Sequence, residues 1–274
     1  MKYDLAVAYR IYPGVSKVPP VYPHDKLQLA RFCLESFHKA LEGITIKMYV
    51  LLDGCPEEYT QLFLEFFPKE DLVFIPLSKE GNKKTFERQI EILTTQEDAD
   101  TIYFAEDDYF YIKNLKPILD VIRAKKADFI SPYEHPSCYT DDHKVPPEKE
   151  VFENQTYIHV QHACLTFMAS KESLLQNKKI FQIYSNWFAS DYTLWSIITL
   201  GRDFFKYTPY LGRIAEYTMI NLKVFGTMVM YGFLRFLTNR KYILLMPVGT
   251  FATHLESNFL SPGVNWDTYF NGKN

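Results

Sequence analysis

Three consecutive carboxylates, Glu106-Asp107-Asp108, sit between the apolar Tyr103-Phe104-Ala105 and the aromatic Tyr109-Phe110-Tyr111. Carboxylates this close repel one another, and partial burial penalises each charge unless a cation compensates. A divalent cation carrying a diphosphate supplies that compensation, and hard oxygen donors suit magnesium or manganese. A solvated acidic turn is the plainer reading of any such triplet. The apolar run leading into this one argues for a built site at the end of a buried strand.

The elements that would position the triplet follow from periodicity. Strands are expected over 3–9, 44–52, 72–76, 101–105 and around 129–130, each rich in β-branched or aromatic residues. Between them, apolar residues recur at helical spacing: Leu27, Ala30, Leu34, Phe37 and Leu41, with Gly43 as a stop; then Tyr59, Leu62, Phe63 and Phe66; then Phe86, Ile90 and Leu93; then Leu115, Ile118, Leu119 and Ile122. The rhythm is βαβαβαβαβ, which predicts an α/β fold: a Rossmann-like, mostly parallel sheet with helices on both faces. Beyond it, 133–156 reads as a long polar loop, 158–168 as a strand, 171–176 as a short helix, and Asp191 as the start of a helix through Leu194, Trp195, Ile197 and Ile198. No linker or repeat stands out. The expectation is one domain over 1–274, with a nucleotide-binding half to about 130, an acceptor-side half over 131–218 and a C-terminal extension over 219–274.

Ligands of an open parallel sheet bind beyond the carboxyl ends of the strands. Those ends carry Arg10, Asp53-Gly54, the segment 78–84 and Glu106-Asp107-Asp108, so polar groups converge on one edge. The net charge of −3 offers no basic field for nucleic acid. Aromatics at 16%, with 20 Tyr and 22 Phe, suit stacking on sugar rings as well as an ordinary core. Cys33, Cys55, Cys138 and Cys164 lack ligand-like spacing and read as reduced thiols of a cytoplasmic protein. The opening MKYDLAVAYR reaches charge too soon for a signal peptide. Lys223, Arg235, Arg240 and Lys241 interrupt the most apolar stretch, 222–248, so no transmembrane span is expected, and peripheral membrane contact stays open for 224–236.

This layout resembles the GT-A fold of nucleotide-sugar-dependent glycosyltransferases, in particular the family-2-like inverting enzymes. Glu106-Asp107-Asp108 is similar to their Asp-x-Asp motif, with Glu in the first place. The resemblance implies that Asp108, with Glu106 and His254, holds manganese or magnesium. It further implies that Arg10, Asp53, Asn82, Lys84, Gln89, Glu106 and Asp107 bind the nucleotide sugar. Ser190-Asp191 stands where such enzymes carry a catalytic acid, which makes Asp191 the implied base; the paired acid often found there is absent. Trp187, four residues before Asp191, reads as a stacking platform for the acceptor, and His162 as a second acceptor contact. The donor would be a nucleoside-diphosphate sugar, UDP-linked as a family prior, and the acceptor a polysaccharide, lipid-linked sugar or protein glycan. Asp141-Asp142-His143, set among Pro, Ser and Lys, reads as surface, and His159 and His162 read as sharing one face of a strand. A sugar nucleotidyltransferase is the nearest rival, although the loop after the first strand carries only Gly14. A retaining transferase and a non-catalytic nucleotide- or carbohydrate-binding module would also suit these residues.

Overall fold

The computed structural model describes residues 2–15, 18–139, 148–186, 191–199, 230 and 242–272, so Trp187, 141–143 and most of 222–241 lie outside the described residues. Alternation of period two builds the first strand, β1 (Leu5–Ile11). Leu5, Val7, Tyr9 and Ile11 join one apolar cluster, and Ala6 and Ala8 join a second on the opposite face. A strand buried on both sides must be covered on both sides. Helix α1 (Lys26–Ala40) starts at Asp25, whose carboxylate accepts from the Gln28 N–H at 3.0 Å and so satisfies one otherwise orphaned donor. It lays Ala30, Leu34 and Phe37 on the first cluster, as does α2 (Glu57–Phe66) with Tyr59, Leu62 and Phe63. Helix α3 (Asn82–Thr95) covers the second with Phe86, Ile90 and Leu93. Between them run β2 (Ile46–Asp53), β3 (Leu72–Leu77) and β4 (Thr101–Glu106).

The chain continues through β5 (Tyr109–Tyr111), α4 (Lys116–Arg123), β6 (Phe129–Ile130), β7 (Lys149–Phe152), β8 (Gln155–His159), β9 (Phe167–Ser170), α5 (Lys171–Asn186) and α6 (Asp191–Thr199). It closes with β10 (Leu244–Pro247), β11 (Ala252–His254) and α7 (Asp267–Phe270). The nine-stranded sheet has the order β3-β2-β1-β4-β9-β6-β10-β8-β7, and β5 and β11 form a separate pair. Its first four strands are parallel. The fold is therefore a mixed α/β sheet with helices on both sides.

The second half departs from the expected rhythm. The strand at 129–130 does not lie beside β4. Instead β9 fills that slot, antiparallel to both β4 and β6. Phe167 and Ala169 face one cluster and Met168 the other, and the neighbouring β6 likewise divides Phe129 and Ile130 between the two, so both strands are buried on both faces. The single strand expected over 158–168 is divided between two places in the sheet. β8 pairs with β10 and β9 with β4, and one straight strand cannot serve two places in a sheet. The helix expected over 171–176 runs on to Asn186. The polar stretch 133–156 contains β7, joined to β8 by Glu153 and Asn154 at φ 46 and 69. Those are the values of a tight hairpin turn, here without the Asn-Gly signature that would have marked it. Part of the C-terminal segment is built into the sheet as β10, and Trp266 and Phe270 complete a third apolar cluster with Phe32 and Phe110. No helix among the described residues is long and apolar enough to cross a membrane.

Phe104 is fully buried in β4 and stacks on Phe167 of β9 with ring centroids 4.5 Å apart. Phe104→Ala should destabilise the protein by about 3–5 kcal/mol, the usual cost of removing a buried aromatic ring. Urea unfolding followed by circular dichroism measures this, and a loss near zero would mean that β9 does not pack on β4.

Candidate active site

Arg10 and Glu106 are register partners near the carboxyl ends of adjacent parallel strands β1 and β4. Their side chains form an ion pair, and Arg10 also donates to the Asn82 side-chain oxygen and, at 3.0 Å, to the Asn82 carbonyl. The other Glu106 oxygen accepts from the Thr166 hydroxyl at 3.0 Å. Glu106 thus links β1, β4 and the segment entering β9, and both of its oxygens are engaged.

Asp107 turns the opposite way. One oxygen accepts the Tyr12 N–H at 3.0 Å and meets the Lys26 ammonium at 2.9 Å. A buried lysine is tolerated only when paired, and Lys26, 8% exposed at the start of α1, depends on this carboxylate. Burial pushes the Asp107 pKa up, and Lys26 offsets only part of that rise. The Pro-rich loop between β1 and α1 is thereby fastened at both ends to the turn after β4.

Asp108 owes its surroundings to residues far along the chain. Pairing of β5 with β11 puts His254 opposite Tyr109, and the Leu255 N–H donates to the Asp108 carbonyl at 2.8 Å. His254 Nε2 then lies 3.1 Å from Asp108 Oδ2, while its Nδ1 faces Glu256 at 3.6 Å. Burial alone would raise the Asp108 pKa, but the facing imidazole together with the nearby Lys26 and Arg10 charges outweighs it, and the value falls to about 2. Asp108 Oδ1 is buried and has no hydrogen-bond partner. Each acid of the triplet therefore meets its own basic side chain: Arg10, Lys26 or His254. The negative charge expected to await a metal is largely met by the protein.

What remains open to a cation is Asp108 Oδ1, and His254 would join it by turning a ring nitrogen from Asp108 or Glu256. Among the described residues no three His, Cys, Asp or Glu side chains converge on one point as a ready cage. Magnesium-type sites commonly use one or two protein ligands and complete their shell with phosphate oxygens and water. A buried carboxylate oxygen without a partner, beside an imidazole, fits a two-ligand site of that kind.

Asp191 opens α6, and the Tyr184 hydroxyl donates to its Oδ1. Burial pushes the Asp191 pKa above its ordinary value; Glu106 adds to the rise, while Tyr184 and Arg10 oppose it. A carboxylate so placed is a stronger proton acceptor than one in water. Asp53 accepts from the Glu80 and Gly81 N–H groups at 2.6 and 2.9 Å. Both its oxygens hold the loop before α3, where Gly81 adopts φ +80, a conformation glycine enters without steric cost. That loop delivers Asn82 to Arg10.

These groups surround a cavity of about 520 Å³. Arg10, Asp53, Asn82, Glu106, Asp107, Asp108, Asp191 and His254 all line it. Lys84 does not: it is exposed on α3 and does not border the cavity. Gln89 lies buried beneath, its amide donating to the Ala8 and Ala105 carbonyls at 2.7 and 3.2 Å, so it braces β1 against β4. His162 lies beyond the end of β8, with its ring 5.9 Å from His135 and its Nε2 3.9 Å from Cys138 Sγ, and it does not border the cavity. His159 instead ends β8 and contacts Glu150 at 2.9 Å, so the two histidines do not share a strand face. Trp187 lies outside the described residues. The sequence reading missed Lys26, Tyr12, Thr166 and Tyr184. Only Lys26, directly after a helix-capping Asp, carried any local signal.

No known family profile matches the sequence, and neither does any curated protein. Solved structures with a similar backbone include residues 1–349 of TarS from S. aureus in complex with UDP-GlcNAc, at 15% identity and a TM-score of 0.43 over 70% of this chain and 52% of that one. Others are the galactosyltransferase LgtC with donor and acceptor sugar analogues, at 11% identity and TM-score 0.40, covering 66% of this chain and 65% of LgtC. A third is the 4-diphosphocytidyl-2C-methyl-D-erythritol synthase of Anaerococcus prevotii, at 9% identity and TM-score 0.42, covering 69% and 80%. The chain spans about half the length of the TarS 1–349 structure it matches.

Asp53→Ala would strand two backbone donors, at Glu80 and Gly81, and should cost about 1–3 kcal/mol. Thermal unfolding reads the loss, and amide exchange should quicken at Glu80 and Gly81. Unchanged exchange there would return Asp53 to a role in ligand contact alone.

Proposed function

We propose that this chain is a glycosyltransferase of the GT-A type, which moves a sugar from a nucleoside-diphosphate donor to a hydroxyl of a glycan acceptor. The observation that carries this reading is one cavity uniting a carboxylate of raised pKa, Asp191, with an Asp–His pair that keeps one carboxylate oxygen open. The first group suits accepting a proton, and the second suits meeting a diphosphate through a cation.

Asp108 and His254 would hold magnesium or manganese, whose charge offsets that building on the departing diphosphate. Arg10, kept in place by Glu106 and Asn82, contributes a fixed positive charge at the same edge. Asp191 takes the proton of the acceptor hydroxyl as that oxygen bonds to the anomeric carbon. The carbon–oxygen bond to the diphosphate breaks on the opposite face, the nucleoside diphosphate leaves, and configuration inverts. Glu106 serves this scheme by positioning Arg10 rather than by binding the ion. A UDP-sugar is the proposed donor class, and the acceptor class spans polysaccharide, lipid-linked sugar and protein glycan. A nucleotidyltransferase would release pyrophosphate and would have no need of a base at Asp191, so the products separate the two readings.

Calorimetry with a panel of UDP-sugars, with and without manganese, should reveal metal-dependent binding that Asp108→Ala weakens. Asp191→Asn should bind the same nucleotide sugar as the wild type while transfer falls roughly 10²–10⁴-fold, the contribution of a placed general base. Normal turnover by the Asn variant would remove Asp191 from the reaction.

A further inference from the structure

A proton acceptor is useful only if its lone pair points where the proton will be, and a carboxylate on a short side chain can rotate. Asp191 is restrained. Tyr184, near the end of α5, donates its hydroxyl to Asp191 Oδ1 across the connection to α6. Tyr184 is itself held: its ring packs edge-on against Phe86 of α3, with centroids 5.7 Å apart and planes at 86°. Phe86 in turn packs on Phe104 of β4 and Phe181 of α5, at 5.4 and 6.2 Å. The hydroxyl is thus anchored to the sheet's second apolar cluster, while both Tyr184 and Asp191 border the cavity.

We propose that Tyr184 is a positioning residue, which clamps Asp191 Oδ1 and so presents Oδ2 to the acceptor hydroxyl. The proposal rests on the reading of Asp191 as the base. Two consequences follow from the chemistry. A fixed carboxylate keeps the near-attack geometry, and misplacing a reacting group by about 1 Å can cost on the order of 10²-fold in rate. The donated hydrogen bond also favours the ionised carboxylate. The groups acting on Asp191 are Tyr184 from α5, Glu106 at the end of β4 and Arg10 of β1, with Cys164 close before β9. Burial and Glu106 work to protonate Asp191, whereas Tyr184, Arg10 and the backbone N–H of Asp191 itself keep it charged. Losing the hydroxyl should therefore move the midpoint of Asp191 upward and narrow the pH range in which it is ready to accept.

Tyr184→Phe removes the hydroxyl and keeps the ring on Phe86. Carbon-detected NMR of the ligand-free protein can follow the Asp191 carboxyl, with Asp191→Asn used to assign the resonance. In the wild type the midpoint should lie above the ordinary aspartate value, and in Tyr184→Phe it should rise further by ~1 pH unit, because the hydrogen bond to the charged form is gone. An unchanged midpoint would overturn the proposal without reference to any substrate. Release of UDP from UDP-N-acetylglucosamine in the presence of manganese supplies the second readout. The Phe variant should lose ~10-fold in kcat with KM for the nucleotide sugar unchanged, the pattern of an interaction made at the reacting centre. A shifted midpoint with unchanged kcat would reduce Tyr184 to a structural contact. Normal turnover by Asp191→Asn would sink the base assignment instead, and the NMR shift would still report on the clamp.

Discussion

Three adjacent negative side chains at the mouth of a buried strand can persist only because three basic side chains arrive to meet them. Arg10 comes from the neighbouring strand, Lys26 from the first helix and His254 from near the C-terminus. Each pairing takes charge out of water, and a buried pair is stable only if geometry and further hydrogen bonds offset the lost hydration. The further bonds are present: Asn82 and Thr166 flank the Arg10–Glu106 pair, and the Tyr12 N–H supports Asp107. The placement of loops, helix starts and the C-terminal strand around the cavity follows from this one electrostatic constraint.

The same constraint divides the work among the three acids. Glu106 ties β1, β4 and the segment entering β9 together with both of its oxygens engaged, and Asp107 fastens the loop before α1 through Oδ2. Asp108 differs, because one of its oxygens is buried without a partner. An unsatisfied buried acceptor is costly unless something binds it. The asymmetry among three neighbouring carboxylates is the feature of this edge that most favours a ligand-bound cation.

Asp191 obeys the opposite logic. It lines the same cavity as the basic cluster, deep enough that burial raises its pKa, yet within reach of Arg10 and Tyr184, which restrain the rise. The same cavity keeps Asp108 strongly ionised, at about 2, while burial lifts Asp191, a division that suits the two roles proposed for them. The sheet makes this separation possible. Asp108, with its lowered pKa, sits in the turn after β4 beside Asp107, whose pKa burial raises, whereas Asp191 is carried by α6, packed with α5 on the second cluster.

Local pattern was enough to reveal the first half of the fold, because alternation and helical spacing act over a few residues and report burial directly. Glu106, Asp108 and Asp191 were also legible, since an acidic run ending an apolar strand and an acid opening an amphipathic helix are local signals. The insertion of β9, the division of 158–168, the β5–β11 pair and the buried β10 were not, because short strands of two to five residues gain their stability from partners distant in the chain. Residue types at the strand ends were visible, but their roles were not. Asp53 and Gln89 satisfy backbone groups, Lys84 faces solvent, and Lys26 and Tyr184 enter the site from outside any motif. Sequence by itself determined which elements form in the first half of the chain and where acidity gathers. Only the tertiary structure decided which charge meets which, because pairing energy depends on distances that neighbours in sequence do not set.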